Sequence, residues 1–370
     1  MSKKVIIAGG GTGGHIFPAI AIANALKKLQ PKTELLFVGA NGKMEMEKVP
    51  QAGYKIQGID MAGFNRSSLL KNLSLPFRLV KSFFQVRNIF GDFLPDVVIG
   101  VGGYSSFPVL KYAQKKGIPT FIHESNSFAG KANKLLGARA EKVFVAAHGM
   151  EQFFPKSKIV LTGNPVRTNI SESRITREEG ILFFGLDPEK KTVLSVGGSL
   201  GAQSINEAIA AGIDNFAANG LQLIWQTGKP FIEQAKQVSD GKENIYVSDF
   251  INQMEYALAA ADVVISRAGA MAIAELCLMG KPVVFVPYPF AAEDHQTVNA
   301  RALVIRNAGL MIPDHEAKEK LVPMITDLAR DGNWQQTLKT NIRELSFVDA
   351  DTRIAAEIFK TIDSQTVGAV

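Results

Sequence analysis

The sequence predicts an α/β chain of two tandem domains, each built on a doubly wound parallel sheet. Three observations carry this. The 370 residues suffice for two domains with separate cores. Short β-branched apolar runs alternate with helix-like stretches, and the runs are continuous rather than alternating, as in strands covered on both faces. The pattern of strand, glycine loop and helix occurs twice, as VIIAGGGTGGHIFPAIAIANAL from residue 5 and VLSVGGSLGAQSINEAIAAGI from residue 193.

In chain order the first set of predicted strands is VIIAGG (5–10), ELLFVG (34–39), VVIGVG (97–102), PTFIHE (119–124), KVFVA (142–146) and KIVLTG (158–163). The polar, acidic stretch SESRITREEG (171–180) interrupts the series. The pattern then restarts with TVLSVGG (192–198), LQLIWQTG (221–228), IYVSDF (245–250), DVVISRAG (262–269) and PVVFVPYP (282–289). Helical patterns between strands imply βαβ units. The domains join near Asn164-Pro165-Val166-Arg167, giving 1–165 and 166–348. Ligands of open α/β sheets sit at the carboxyl ends of the strands, so the expected site is a cleft lined by those loops.

Composition narrows the function classes. A hydrophobic share of 46% and a charged share of 21% exclude a disordered chain. No stretch reaches the roughly 18 apolar residues of a spanning helix. Lys3 and Lys4 precede only VIIA, too short for a signal-peptide core, so a cytosolic chain is expected. The one cysteine, Cys277, fits a reducing compartment, and its run MAIAELCLMG reads as core rather than nucleophile. Residues 1–166 carry 22 Lys and Arg against 9 Asp and Glu, a net of +13. The remainder carries 19 against 26, a net of −7. A basic first half suits an anionic surface, or scattered solvated lysines.

Gly9, Gly11 and Gly14 match the dinucleotide fingerprint G-x-G-x-x-G. A dinucleotide fold also needs a carboxylate at the end of the second strand. Glu34 begins that strand, and its end, Gly39-Ala40-Asn41, has none. A glycine turn opening a helix still attracts phosphate through its N–H groups and the helix dipole. Gly197-Gly198-Ser199-Leu200-Gly201 offers the same chemistry, and Gly100-Val101-Gly102-Gly103-Tyr104-Ser105-Ser106 is a third cluster. Together they predict a phosphorylated ligand. In SRAGAMAIAE (266–275), Glu275 lies about one turn into a helix, where it could hold two vicinal hydroxyls or simply be solvated. PYPFAAEDHQTVNA (287–300) supplies Asp294, His295, Gln296 and Asn299, suited to sugar recognition or to capping. The five histidines at 15, 123, 148, 295 and 315 lack metal spacing. Asp349-Ala350-Asp351 reads as a helix cap, and no nucleic-acid motif is present.

Taken together, GGGTGGHIFPA, HESNSFAG (123–130), TGNPVR (162–167), GGSLGA (197–202), SRAGAMAIAE and AAEDHQTVNA (291–300) resemble the MurG family, in order from residue 5 to about 310. The departures are Ser125, Ser127 and Leu200, where relatives often carry Gln, Gly or Ala, and Gln. The resemblance implies the GT-B fold, two Rossmann-like domains facing across a cleft, with a final helix, 350–365, returning to the first domain. It implies an inverting transfer of N-acetylglucosamine from UDP-GlcNAc to the C4 hydroxyl of MurNAc in lipid I (undecaprenyl-pyrophosphoryl-MurNAc-pentapeptide), giving lipid II, without cofactor or metal. Carried over by motif, the donor contacts are Thr12, Gly13, Gly14, Asn126, Arg167, Ser199, Ile251 through its backbone, Ala270, Met271, Glu275 and Gln296. His15 is the expected general base, with Glu124 next, since a histidine titrates near neutral pH. Without the resemblance, the residues leave open another lipid glycosyltransferase, such as one acting on diacylglycerol, or a non-catalytic nucleotide-sugar module.

The acceptor is a lipid, and residues 61–91 contain Arg66, Lys71, Arg78, Lys81 and Arg87 with no acid, interleaved with Phe64, Phe77, Phe83, Phe84 and Phe90. Such a stretch suits an anionic membrane surface, part of it being core. The expected location is the cytoplasmic face of the bacterial inner membrane, in contact with other cell-wall synthesis proteins.

Overall fold

The computed structural model describes residues 2–61, 75–198 and 200–367. The chain divides into two compact units, Met1–Arg167 with Asp349–Val370, and Thr168–Val348. The first holds a seven-stranded sheet of β1 (Lys4–Ala8), β2 (Glu34–Ala40), β3 (Ile56–Ile59), β4 (Val97–Gly100), β5 (Thr120–Glu124), β6 (Lys142–Val145) and β7 (Ile159–Leu161). The second holds six strands, β8 (Lys191–Val196), β9 (Leu221–Gln226), β10 (Ile245–Ser248), β11 (Val263–Ser266), β12 (Val283–Phe285) and β13 (Leu310–Met311). All pairings are parallel.

Both sheets have the Rossmann order. The first runs β3-β2-β1-β4-β5-β6-β7 and the second β10-β9-β8-β11-β12-β13. The strand order reverses between β1 and β4, and between β8 and β11, which is where such sheets bind ligands. The glycine loops of the sequence follow β1, β4 and β8.

Continuous apolar strands follow from burial on both faces. Val5 and Ile7 of β1 pack with Ile16, Ile22 and Leu26 of the helix Gly13–Leu29. Ile6 and Ala8 pack with Val86 and Phe90 of the helix Leu75–Phe93 on the other side. The helix Ala350–Val367 closes the first core: Ile354, Ala355, Ile358, Phe359 and Ile362 form a stripe at helical spacing in the cluster of Ile16 and Leu26.

Two strands escaped the sequence reading, β3 and β13. Both are sheet edges. β3 reads IQGI and is only partly covered, and β13 has two residues, so neither has a continuous apolar run. Predicted strands also ended too late: β1 stops at Ala8 and β4 at Gly100, where glycines with positive φ turn the chain away.

Candidate active site

The loop after β1 is locked to the loop after β4. The N–H of Gly9 donates to the Val38 carbonyl (3.1 Å) and that of Gly10 to the Gly102 carbonyl (3.2 Å). A side chain at Gly9 would strike the Gly102 carbonyl, and one at Gly103 would strike the Gly10 carbonyl. Both residues also have positive φ, so only glycine suits them. The expectation that the glycines bring backbone close to an external anion is therefore corrected in part. Gly9, Gly102 and Gly103 serve loop-to-loop packing, and the Gly11 N–H already holds an anion, the Glu45 carboxylate (2.7 Å).

Thr12, Gly13, Gly14 and His15 follow directly. Thr12 caps the helix Gly13–Leu29, and its carbonyl accepts the N–H groups of His15 and Ile16, both at 3.1 Å. Gly13 and Gly14 form the first turn, where backbone N–H groups point out of the helix end. His15 is half-buried, with Nδ1 3.1 Å from the Gly10 carbonyl. A carbonyl can only accept, so Nδ1 carries the proton and Nε2 is the basic nitrogen.

At the end of β5, Glu124 is buried and saturated. Its Oε1 accepts from the N–H (3.1 Å) and Nδ2 (3.4 Å) of Asn126. Its Oε2 accepts from the Gly130 N–H (3.0 Å) and Asn133 Nδ2 (2.8 Å). Four donors make this carboxylate the organiser of the loop 124–133. Beside it His123 is fully buried, and burial pushes its pKa down to about 4, which keeps it neutral. Asn164 ties TGNPVR to this loop through its Nδ2 bond to the Ser125 carbonyl (3.0 Å). The Arg167 guanidinium lies over the Phe17 ring, 5.0 Å from its centroid.

In the second unit Ser199 lies outside the described residues. Buried Gln226 links the end of β9 to two loops, donating to the Gly198 carbonyl and accepting the Ile251 N–H, both at 3.0 Å. A ligand that accepts the Ile251 N–H must compete with Gln226 for it. Ala270 and Met271 open the helix Ala270–Met279 after β11, with Glu275 half-buried further along. Gln296 accepts the Tyr288 N–H (3.0 Å), bracing the loop after β12.

Residues 5–145 match the glycosyltransferase family 28 N-terminal domain, and residues 192–354 match the glycosyltransferase family 28 C-terminal domain. The chain is 53% identical, over 97% of its length and 96% of the relative's, to the UDP-N-acetylglucosamine–N-acetylmuramyl-(pentapeptide) pyrophosphoryl-undecaprenol N-acetylglucosamine transferase of Phocaeicola vulgatus. It is 51% identical to the enzyme of the same name from Parabacteroides distasonis, covering 98% of this chain and 99% of that one. The crystal structure of Acinetobacter baumannii MurG superposes with a TM-score of 0.76 at 28% identity, covering 97% and 99% of the two chains.

The chain belongs to the MurG family. Each family motif quoted above lies at the carboxyl end of a strand: after β1, β5, β7, β8, β11 and β12. The two halves are the Rossmann-like domains of a GT-B glycosyltransferase.

Besides Gln226, three polar residues that build these loops were missed in the sequence. Glu45 has a side chain almost fully buried, four residues beyond Asn41. Arg267, in SRAG, donates to the carbonyls of Val286 (3.0 Å) and Pro287 (3.1 Å), to Ser204 (3.1 Å) and to Asp314, pinning three segments together. Asn206 accepts from the Trp225 indole (2.9 Å) and donates to the Thr227 carbonyl (2.7 Å). Only a lone charge or amide beside an apolar run could have flagged them.

Of the basic, aromatic stretch, 62–74 lie outside the described residues, including Phe64, Arg66 and Lys71. In the helix Leu75–Phe93, Phe77, Val80 and Phe84 are exposed at 84%, 58% and 62%, at one-turn spacing with exposed Arg78, Lys81 and Arg87. Lys81 pairs with Asp60 at 2.7 Å. Phe90 is core rather than surface. Among the described residues no helix is long and apolar enough to cross a membrane.

Proposed function

We propose that this chain transfers N-acetylglucosamine from UDP-N-acetylglucosamine to N-acetylmuramyl-(pentapeptide) pyrophosphoryl-undecaprenol. The observation that carries this is identity of 53% and 51%, over almost the full length, to relatives bearing that activity as their name. The acceptor is membrane-linked, and its product is the lipid-linked disaccharide of peptidoglycan synthesis.

We assign the acceptor side to the first domain, 1–165 with the helix 350–365, and the donor side to the second, 166–348. The transfer inverts the anomeric centre. Nε2 of His15 takes the proton of the acceptor C4 hydroxyl while its oxygen attacks the anomeric carbon. The bond from that carbon to the diphosphate oxygen breaks, and UDP leaves with the electron pair. In the second domain Ser199, Ile251, Ala270, Met271, Glu275 and Gln296 are assigned to the donor, the amide-rich start of the helix Ala270–Met279 meeting its diphosphate. Thr12, Gly13, Gly14 and Asn126 of the first, with Arg167 at the junction, are assigned to the transferred sugar and the departing charge. Preorganised donors of this kind contribute several kcal/mol. Saturation of Glu124 by four donors favours His15 as the base.

The exposed stripe of Phe77, Val80, Phe84 and basic residues supports peripheral contact with an anionic bilayer. We place the enzyme on the cytoplasmic face of the inner membrane. The test of the mechanism is His15→Ala assayed for transfer to a short-chain acceptor analogue. A fall in kcat of about a hundred-fold or more is expected for loss of a general base. A kcat within a few-fold of wild type would remove His15 from that role.

A further inference from the structure

Glu45 begins the short helix after β2, and its side chain is 1% exposed. Its Oε1 accepts the Ala40 N–H (3.0 Å) and its Oε2 the Gly11 N–H (2.7 Å). The Gly11 N–H belongs to the Gly10–Gly11 peptide. The carbonyl of that same peptide accepts the proton of His15 Nδ1 at 3.1 Å. Carboxylate, peptide and imidazole thus form one chain of hydrogen bonds.

We propose that Glu45 is a positioning residue for His15, acting through the Gly10–Gly11 peptide to fix the orientation of the imidazole and its Nδ1–H tautomer. The proposal rests on the reading of His15 as the base.

The physics follows from the amide. A buried carboxylate draws on the peptide N–H through a charge-assisted bond. That polarises the peptide and strengthens its carbonyl as an acceptor, because linked hydrogen bonds reinforce one another. A stronger acceptor opposite Nδ1 holds the proton there, and Nε2 keeps the lone pair that the reaction needs. The surrounding backbone is shaped for this arrangement. A side chain at Gly10 or at Gly39 would strike the Glu45 side chain, so both glycines make room for it. On the other side of the ring, a Cβ at Gly102 would lie 2.7 Å from His15 Nε2 and Cδ2. The Gly102 carbonyl accepts the Gly10 N–H at 3.2 Å, so the loop flanking the ring is tied to the same peptide segment. The glycine fingerprint thus finds a carboxylate after all, but one that grips the loop from inside the protein.

The test uses the full-length enzyme labelled with ¹⁵N-histidine. In the wild type, the His15 nitrogens should report the Nδ1–H tautomer in NMR spectra at neutral pH. In Glu45→Gln the charge is lost, and the Nε2–H tautomer should gain population. The kcat should fall about ten- to a hundred-fold, as when a partner orienting a functional histidine is lost. The Kd for UDP-GlcNAc should stay within about two-fold, which a general loosening of the fold would not allow. Adding Glu45→Gln to His15→Ala should cost less than about two-fold more, since both act through one ring.

An Nε2–H tautomer in the wild type overturns the proposal, and this holds even if Glu45→Gln does not fold. Unchanged tautomers and kcat in Glu45→Gln overturn it too, as do losses that multiply in the double variant. If His15→Ala alone keeps wild-type kcat, the base assignment fails. The tautomer measurement then still decides whether Glu45 governs the ring.

Discussion

Replacing Glu124 by Gln separates a structural carboxylate from a chemical one. The carboxylate takes two bonds on each oxygen, one from a backbone N–H and one from an Asn amide on either side. A glutamine fits the same space but presents one NH₂. In either orientation that NH₂ faces a backbone N–H, of Asn126 or of Gly130, which cannot turn away. Leaving a buried N–H unsatisfied costs about 1–3 kcal/mol. The Asn opposite the NH₂ can flip its amide to present an oxygen, so it recovers most of its bond. The bonds that survive lose their charge, at some tenths of a kcal/mol each. The total is about 3 kcal/mol. For a domain of this size each kcal/mol lowers Tm by about 2–4 °C, so the loss should be about 6–12 °C in a thermal melt. The kcat of folded Glu124→Gln, measured well below its Tm, should stay within about ten-fold. A variant with unchanged Tm and kcat reduced a thousand-fold would refute the reasoning and make Glu124 a participant in the chemistry.

The remaining predictions test other parts of the fold. Buried His123, held near a pKa of about 4, leaves the unfolded chain to bind the extra proton between pH 6.5 and 4. Stability is therefore present above pH 6.5 and lost as pH falls, by about 3 kcal/mol at the low end. Urea titrations at pH 6.5 and 4.5 should show that slope in wild type and its loss in His123→Gln; equal slopes contradict it. Ile358→Ala removes a fully buried side chain from the helix Ala350–Val367 and should cost about 2–5 kcal/mol by denaturation; a cost below about 1 would mean the helix adds little to the first core. Phe77→Ser with Phe84→Ser should abolish sedimentation with anionic vesicles while Tm holds, and undiminished pelleting counts against the membrane face. Cys277, buried with its pKa pushed up to about 12, should resist thiol reagents until the protein unfolds, and rapid native labelling would contradict its core placement.

The parts of the fold legible in the sequence are those where burial is two-sided. Central strands such as VIIA and VVIG announce themselves because neither face tolerates a polar residue. The edges β3 and β13 do not, because half their surface is open. The motif loops were legible as chemistry because small residues after a strand leave backbone N–H groups accessible. Their internal wiring was not. Glu45, Gln226 and Arg267 look like ordinary surface polar residues in one dimension. Each braces a loop only once the fold sets it beneath a distant part of the chain. The glycines are hard to read for the same reason: Gly9 and Gly103 answer to each other's loops.

The most direct measurement of the central claim is the product formed from UDP-GlcNAc and a short-chain acceptor analogue, read by mass spectrometry and proton NMR. The account predicts one N-acetylglucosamine added per UDP released, β-linked to the C4 oxygen of the muramyl sugar. UDP release without glycosylated acceptor, or an α-linked product, would contradict it.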